Sequence, residues 1–182
     1  MFAARMERLR DRLEEAEVGV ALITDDDSVY YFTGYYDYLH MKFGRPTILV
    51  VPSDGGSLLI TPSMEMDMAE EAAAVDRIEV WNDGMGNEWR EALPTLLADA
   101  GRIAIEQEQM PPVVRGYLDS LFEKARICDV TFIVADMRMV KSEEELQLAR
   151  HAGQVAITMM AAGYDTIRDG VPEYEAALAI SA

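Results

Sequence analysis

A single cysteine, Cys128, stands in the 182-residue sequence, so no disulfide can close within the chain. That usage fits a reducing compartment, and a cytoplasmic location is the expectation. Histidine is nearly as scarce, with His40 and His151 the two examples. Neither has a second His or a Cys at ligand spacing. No H-E-x-x-H or C-x-x-C occurs either, which removes the usual zinc signatures. Basic residues number 16 against 33 acidic ones, a net charge of −17. A phosphate backbone is held by clustered Lys and Arg, and no such patch exists here. Neither nucleic acid nor an anionic membrane is therefore expected as a partner, and the acidity reads as a solubility feature. Apolar runs fall well short of the roughly 20 residues that span a bilayer. The opening MFAARMERLRDRLEEAE is charged and amphipathic and lacks the apolar core of a signal peptide. Internal repeats and low-complexity tracts are also missing.

What the chain does contain is an alternation of amphipathic helices and short apolar runs. Residues 2–17 place Phe2, Met6, Leu9 and Leu13 on one helical stripe. Residues 18–24 (VGVALIT) read as a strand, followed by the polar cluster Asp25, Asp26, Asp27 and Ser28. Residues 29–34 (VYYFTG) read as a compact aromatic turn closed by glycine, and 35–45 as a loop. TILVV (47–51) and SLLIT (57–61) flank Asp54-Gly55-Gly56, which predicts a β-hairpin. A helix is expected over 64–74, a strand over 77–81, a loop over 82–87 and a helix over 88–100, with Pro94 kinking it or marking its start. A strand over 102–106 (RIAIE) precedes a helix opened by Pro111 and Pro112 and running to Phe122. Short strands are expected over 127–129 and 131–135, then a basic-polar connector, 138–141.

Ser142 is a good N-cap, and Glu145 three residues later completes a capping box for a long helix to residue 162, ended by Gly163. Its apolar face carries Ala149, Ala152, Val155, Ala156 and Met159. With few residues following it, Val155, Ile157, Met159 and Met160 are expected to be partly exposed, or covered by the final helix or a second copy. That final helix starts after Gly170-Val171-Pro172-Glu173. The hairpin demands an antiparallel pair and the helix–strand alternation argues for parallel ones. The expected class is therefore α/β, a mixed sheet of five to six strands flanked by helices and followed by a helical extension. Two segments result, 1–140 and 141–182.

Several residues invite a chemical reading, each beside a plainer one. Asp25–Asp27 ends a strand, where α/β sheets often bind ligands, but it lacks the glycine and spacing of a calcium loop and suits turn and cap chemistry. Gly84-Met85-Gly86 resembles part of a dinucleotide loop, yet Trp89 stands where the third glycine belongs. Cys128 lies on a short strand without a neighbouring His to activate it, as a small core residue would. His151 sits beside Arg150 on the long helix, a surface or interdomain position. Met64, Met66 and Met68 alternate with acidic residues, so they cannot all face one core. Glu106 and Asp83 are conceivable acid/base groups, but no facing pair of carboxylates is apparent. Tyr35, Tyr36, Tyr38, His40 and Arg45 form an aromatic stretch with one imidazole and one guanidinium. Rings supply shape and Arg pairs with carboxylates, so Tyr36, Tyr38, His40 and Arg45 are the candidates for a substrate-access or partner site. An ordinary exposed loop or interface explains the same residues.

Taken in order, four patterns resemble one family. They are the opening helix leading into VGVALIT, Tyr31-Phe32-Thr33-Gly34 (like a YLTG turn), RIAIE ending in Glu106, and Arg138-Met139-Val140-Lys141-Ser142-Glu143-Glu144-Glu145 (like R-x-x-K-S-x-x-E). Gly170-Val171-Pro172-Glu173 is similar to a further step of the same series. The chain resembles the N-terminal domain of creatinase/prolidase-type metallohydrolases, with FGRPTILVVP and LLITPSMEMDMA similar to the bacterial aminopeptidase P branch.

The resemblance implies a two-domain enzyme. Its N-terminal domain would be a mixed sheet without metal, serving dimerisation and substrate access, with a loop near 35–45 reaching the partner subunit's active site in a homodimer. Its C-terminal "pita-bread" domain would hold two divalent metal ions (Mn, Co or Zn) through two Asp, one His and two Glu, and would hydrolyse an amide-type bond. Some members act on creatine-like or ectoine-like substrates, or as lyases. No position here matches a metal ligand, so no catalytic or metal residue is assigned, and residues 141–182 correspond to the first helices of a truncated catalytic domain. The alternative is a stand-alone α/β binding or interaction module without enzymatic activity.

Overall fold

The computed structural model describes residues 1–36, 46–82 and 88–181. The short apolar runs become six strands of one mixed sheet, in the order β4-β3-β2-β1-β5-β6. β1 (Val20–Ile23) runs antiparallel to β2 (Ile48–Pro52), with Val20 opposite Pro52 and Ile23 opposite Leu49. β2 is antiparallel to β3 (Leu58–Pro62), as the Asp54-Gly55-Gly56 turn requires. β4 (Arg77–Trp81) is parallel to β3, and β5 (Ile103–Ile105) lies parallel to both β1 and β6 (Ile127–Asp129).

Helices cover both faces, which is why β1 and β5 are apolar at every position instead of alternating. On one side Ala21, Ile23, Leu49 and Leu59 pack with Leu9 and Leu13 of α1 (Phe2–Glu15) and with Phe32 of α2 (Asp26–Thr33). On the other, Val20, Leu22, Val50 and Ile105 meet Trp89, Leu93 of α4 (Leu93–Leu97), and Val114 and Leu118 of α5 (Pro112–Leu121). Each side chain fully buried in this way contributes about 1.5–3 kcal/mol. The chain enters β1 through Gly19, where backbones crowd: a Cβ there would stand 1.9 Å from the Ala100 carbonyl oxygen.

Several sequence expectations are corrected. Residues 29–34 are not a turn but most of α2. Asp25 caps this helix by accepting from the Ser28 N–H at 3.1 Å, and Gly34 stops it at φ +81°. Residues 131–135 are not a strand but the start of α6 (Thr131–Met139), which absorbs Arg138 and Met139 from the expected connector. The apolar run TFIVA fits either state by itself. Asp129 decides it by accepting from the Thr131 N–H at 2.9 Å, and Val134 and Met137, three residues apart, then face the core. The helix expected over 64–74 is a 3₁₀ turn, Ser63–Glu65, followed by α3 (Met66–Ala72). That over 88–100 shrinks to the turn Glu88–Arg90 plus α4, with Pro94 at the start of α4, where its missing N–H costs nothing.

The chain divides into two compact units, Met1–Arg138 and Met139–Ala182. The second consists of α7 (Glu143–Thr166) and α8 (Glu173–Ser181). Both halves of the capping box form: Glu145 N–H donates to Ser142 Oγ at 3.2 Å, and Ser142 N–H to Glu145 Oε2 at 2.7 Å. Gly163 does not end α7. It is where α8 comes close, since a Cβ there would meet Ile180 Cδ1 at 2.7 Å. Val155, Ile157, Met159 and Met160 are exposed. No helix among the described residues is long and apolar enough to cross a membrane.

Candidate functional site

The parallel strands β1 and β5 end side by side, with Leu22 opposite Ile105. The residues that follow each strand therefore emerge together: Asp25 before α2, and Glu106 immediately after β5. Both approach one hydroxyl. Ser28 Oγ lies 3.1 Å from Asp25 Oδ2 and 2.9 Å from Glu106 Oε1. α6 brings a third group from the far end of the unit. Arg138 Nη1 donates to Ser28 Oγ at 3.0 Å, and the guanidinium also reaches Asp25 and Asp27, each at 3.5 Å. One residue earlier, the Met137 carbonyl accepts from the Tyr31 hydroxyl at 2.9 Å. Tyr31 is held in turn from α1, because the Arg5 guanidinium stacks on its ring at 4.1 Å and donates to its carbonyl at 2.6 Å. α2 thus grips the two last residues of the first unit.

Glu106 is 3% exposed, and its Oε2 has no hydrogen-bond partner. Burial pushes its carboxyl up from the ordinary 4.5 to about 7; the Ser28 hydrogen bond opposes the rise, the Asp25 charge adds to it, Arg138 opposes it and Asp129 adds to it. The hydroxyl's hydrogen bonds agree. Ser28 has one proton to give and accepts one bond from Arg138. If Glu106 is protonated, it donates to Ser28 Oγ, Ser28 donates to Asp25, and every contact has a donor and an acceptor. If Glu106 is ionised, two carboxylates compete for one hydroxyl proton.

A second buried polar group lies across β3. The Tyr35 hydroxyl donates to Glu65 Oε2 at 3.2 Å, and Thr61 Oγ1 is 3.1 Å from Thr47 Oγ1. Tyr35 is thus a core residue and not part of an exposed aromatic stretch. A groove of about 390 Å³, lined by Ile60, Glu79, Trp81, Glu88, Glu91 and Ala92 among others, contains none of these side chains.

Of the residues singled out for substrate access, Tyr36 is exposed and packs edge-to-face on Tyr30, ring centroids 6.0 Å apart. Tyr38, His40 and Arg45 lie outside the described residues, as do Asp83, Gly84 and Gly86. Trp89 is fully buried. Cys128 is half-buried and donates to the Ile103 carbonyl at 3.5 Å; burial pushes its thiol up, away from a reactive thiolate. His151 is exposed, and so are Met64, Met66 and Met68. Among the described residues no three His, Cys, Asp or Glu side chains converge to hold a metal ion. The Asp25–Ser28–Glu106–Arg138 cluster escaped the sequence reading as a site, although each of its parts lay in or beside a family-like motif. The unused signal was that three such motifs each end in, or adjoin, a polar residue.

A sequence model of the creatinase/prolidase N-terminal domain matches residues 5–140. The chain belongs to that family. The match ends two residues beyond Arg138, so it takes in all six strands and the Asp25–Ser28–Glu106–Arg138 cluster. A creatinase from Bacillus sp. (strain B-0618) is 28% identical over 178 residues, covering 96% of this chain and 42% of the relative. The prolidase from Pyrococcus horikoshii OT3 shares the fold at a TM-score of 0.76 and 20% identity, over 97% of this chain and 47% of that one. The creatinase/prolidase N-terminal domain of an X-Pro dipeptidase from Streptococcus pyogenes gives 0.62 at 21% identity, over 73% of this chain and 98% of that one. The chain spans less than half the length of the curated relatives it matches.

Proposed function

We propose that this chain is the non-catalytic N-terminal domain of a creatinase- or Xaa-Pro-peptidase-like metallohydrolase, with residues 141–182 forming the first helices of the catalytic domain. The carrying observation is the family match over residues 5–140 in a chain that covers 42% of a creatinase's length. The exposed apolar residues of α7, among them Ile157 and Met160, suit a helix that belongs to a larger domain. Two divalent metal ions and the hydrolytic chemistry would reside in that remaining domain. The role of the first unit would be homodimerisation and control of substrate access through the stretch containing Tyr36, Tyr38, His40 and Arg45, in a cytoplasmic protein.

The purified chain is assayed on Xaa-Pro dipeptides and on creatine with Mn²⁺ or Co²⁺ present. No turnover is expected. Chelator-sensitive turnover by this chain alone would overturn the reading.

A further inference from the structure

We propose that Glu106 is the proton-binding member of a latch that fastens the end of α6 to α2, and that loss of its proton loosens Met137 and Arg138 at the exit of the first unit. The inference stands apart from the proposed function, since it concerns only residues within Met1–Arg138.

The latch has two fastenings on adjacent residues. The Tyr31 hydroxyl holds the Met137 carbonyl, and Ser28, Asp25 and Asp27 hold the Arg138 guanidinium. Both come from α2 and its cap, so whatever shifts the first turn of α2 shifts both. Ser28 lies in that turn and is wholly buried. It is also the point where Glu106 touches the latch.

The charged groups around Glu106 come from three directions. Asp25 approaches from the α2 cap, Asp129 from the end of β6, and Arg138 from α6. Two carboxylates thus face a third across one guanidinium that is already drawn toward Asp25 and Asp27. With Glu106 neutral, its O–H completes the bonding of Ser28 Oγ, which accepts from Arg138 and donates to Asp25. The carboxyl's Oε2, sealed from water and unpartnered, is tolerable as the carbonyl oxygen of a neutral acid. Ionisation places charge on that same unsolvated oxygen and leaves Ser28 one proton for two carboxylates. The relief available is an opening that admits water to Oε2, and in this proposal the helix end that carries Arg138 is the side that yields. Because the raised carboxyl pKa belongs to the closed form, linkage requires the proton to favour closure by the same factor.

The test is an NMR pH titration of the full chain. Side-chain carboxyl ¹³C shifts report Glu106, and amide hydrogen exchange reports residues 134–139, with rates corrected for intrinsic pH dependence. The expected result is a Glu106 midpoint near pH 7, with protection at 137–139 falling about tenfold or more through the same midpoint. Glu106→Gln should hold the protection high at every pH. Ser28→Ala, which removes the shared hydroxyl, should lower protection at all pH values and abolish its pH dependence. Titration of Glu106 at pH 4 to 5, or a midpoint near 7 with unchanged protection at 137–139, overturns the proposal.

Discussion

Arg138 Nη1 donates a 3.0 Å hydrogen bond to Ser28 Oγ, a residue 110 positions earlier in the chain. The contact joins the last residue of the six-stranded unit to the first turn of a helix that opens just after its first strand. It lies within the family-like R-x-x-K-S-x-x-E stretch, and its position gives that arginine a structural task. The Lys141, Ser142 and Glu145 positions of the same stretch do something separate: Ser142 and Glu145 start α7.

Truncating Arg138 should therefore destabilise the first unit. Arg138→Ala removes bonds to Ser28, Asp25 and Asp27, but its side chain is 35% exposed, so water replaces part of what is lost. A loss of about 1–2 kcal/mol is expected in urea denaturation followed by tryptophan fluorescence. Arg138→Lys should recover less than half of it, because one ammonium cannot reach Ser28 and Asp27 with separate nitrogens. Tyr31→Phe should cost about 1 kcal/mol independently, by orphaning the Met137 carbonyl.

The buried Glu106 carboxyl makes stability depend on pH in a direction opposite to that of an ion-paired acid. Its folded-state value, about 7, lies above the ordinary 4.5. The unfolded chain therefore gives up the proton first. The stability this group contributes is complete below about pH 4.5 and is lost as pH rises through about 7, by about 3 kcal/mol. Glu106→Gln cannot ionise, so its stability relative to the parent chain should climb between pH 5 and pH 8 in a series of urea melts. A constant difference between the two proteins across that interval would contradict the buried acid. Asp76 acts in another range: hydrogen bonds from the Ser57 N–H and hydroxyl hold its carboxyl down, so its contribution is present above about pH 4 and lost below it.

Gly19→Ala should be among the costliest single-methyl additions in the protein. The new Cβ would fall 1.9 Å from the Ala100 carbonyl oxygen, which is backbone and cannot rotate away. Gly19 also donates its N–H to the Arg102 carbonyl at 3.0 Å and accepts from the Ser53 N–H at 3.0 Å, so β1 cannot retreat without losing both bonds. A destabilisation of about 2–3 kcal/mol is expected from thermal melts. Gly55→Ala, in open space but at φ +107°, should cost only about 1–2 kcal/mol.

Much of the architecture was legible because its signals are local. Asp54-Gly55-Gly56 between two apolar runs is a hairpin whatever surrounds it, and β2 and β3 formed there. Ser142 and Glu145 specify the start of α7 within four residues, through bonds to each other's backbone. Pro94 and Pro112 mark helix starts because proline has no N–H to lose there. The near-continuous apolar runs VALI and IAI announced strands covered on both faces.

The remainder was decided at longer range. VYYFT and TFIVA are short apolar runs that suit strand or helix equally. They became α2 and α6 because Asp25 and Asp129 capture the N–H groups that follow them, and because the helical face found a core to enter. The aromatic stretch looked uniform in sequence, yet Tyr35 turned inward to Glu65 while Tyr36 stayed at the surface. The latch was beyond reach of any local rule: Ser28, Glu106 and Arg138 meet only because β1 and β5 are parallel neighbours and α6 returns along their ends. The sequence by itself determined the β2–β3 hairpin and the starts of α5 and α7, since turn and capping chemistry act within a few residues. Tertiary structure alone decided which polar groups share a proton, since that depends on which strand ends the sheet brings together and how completely it excludes water from them.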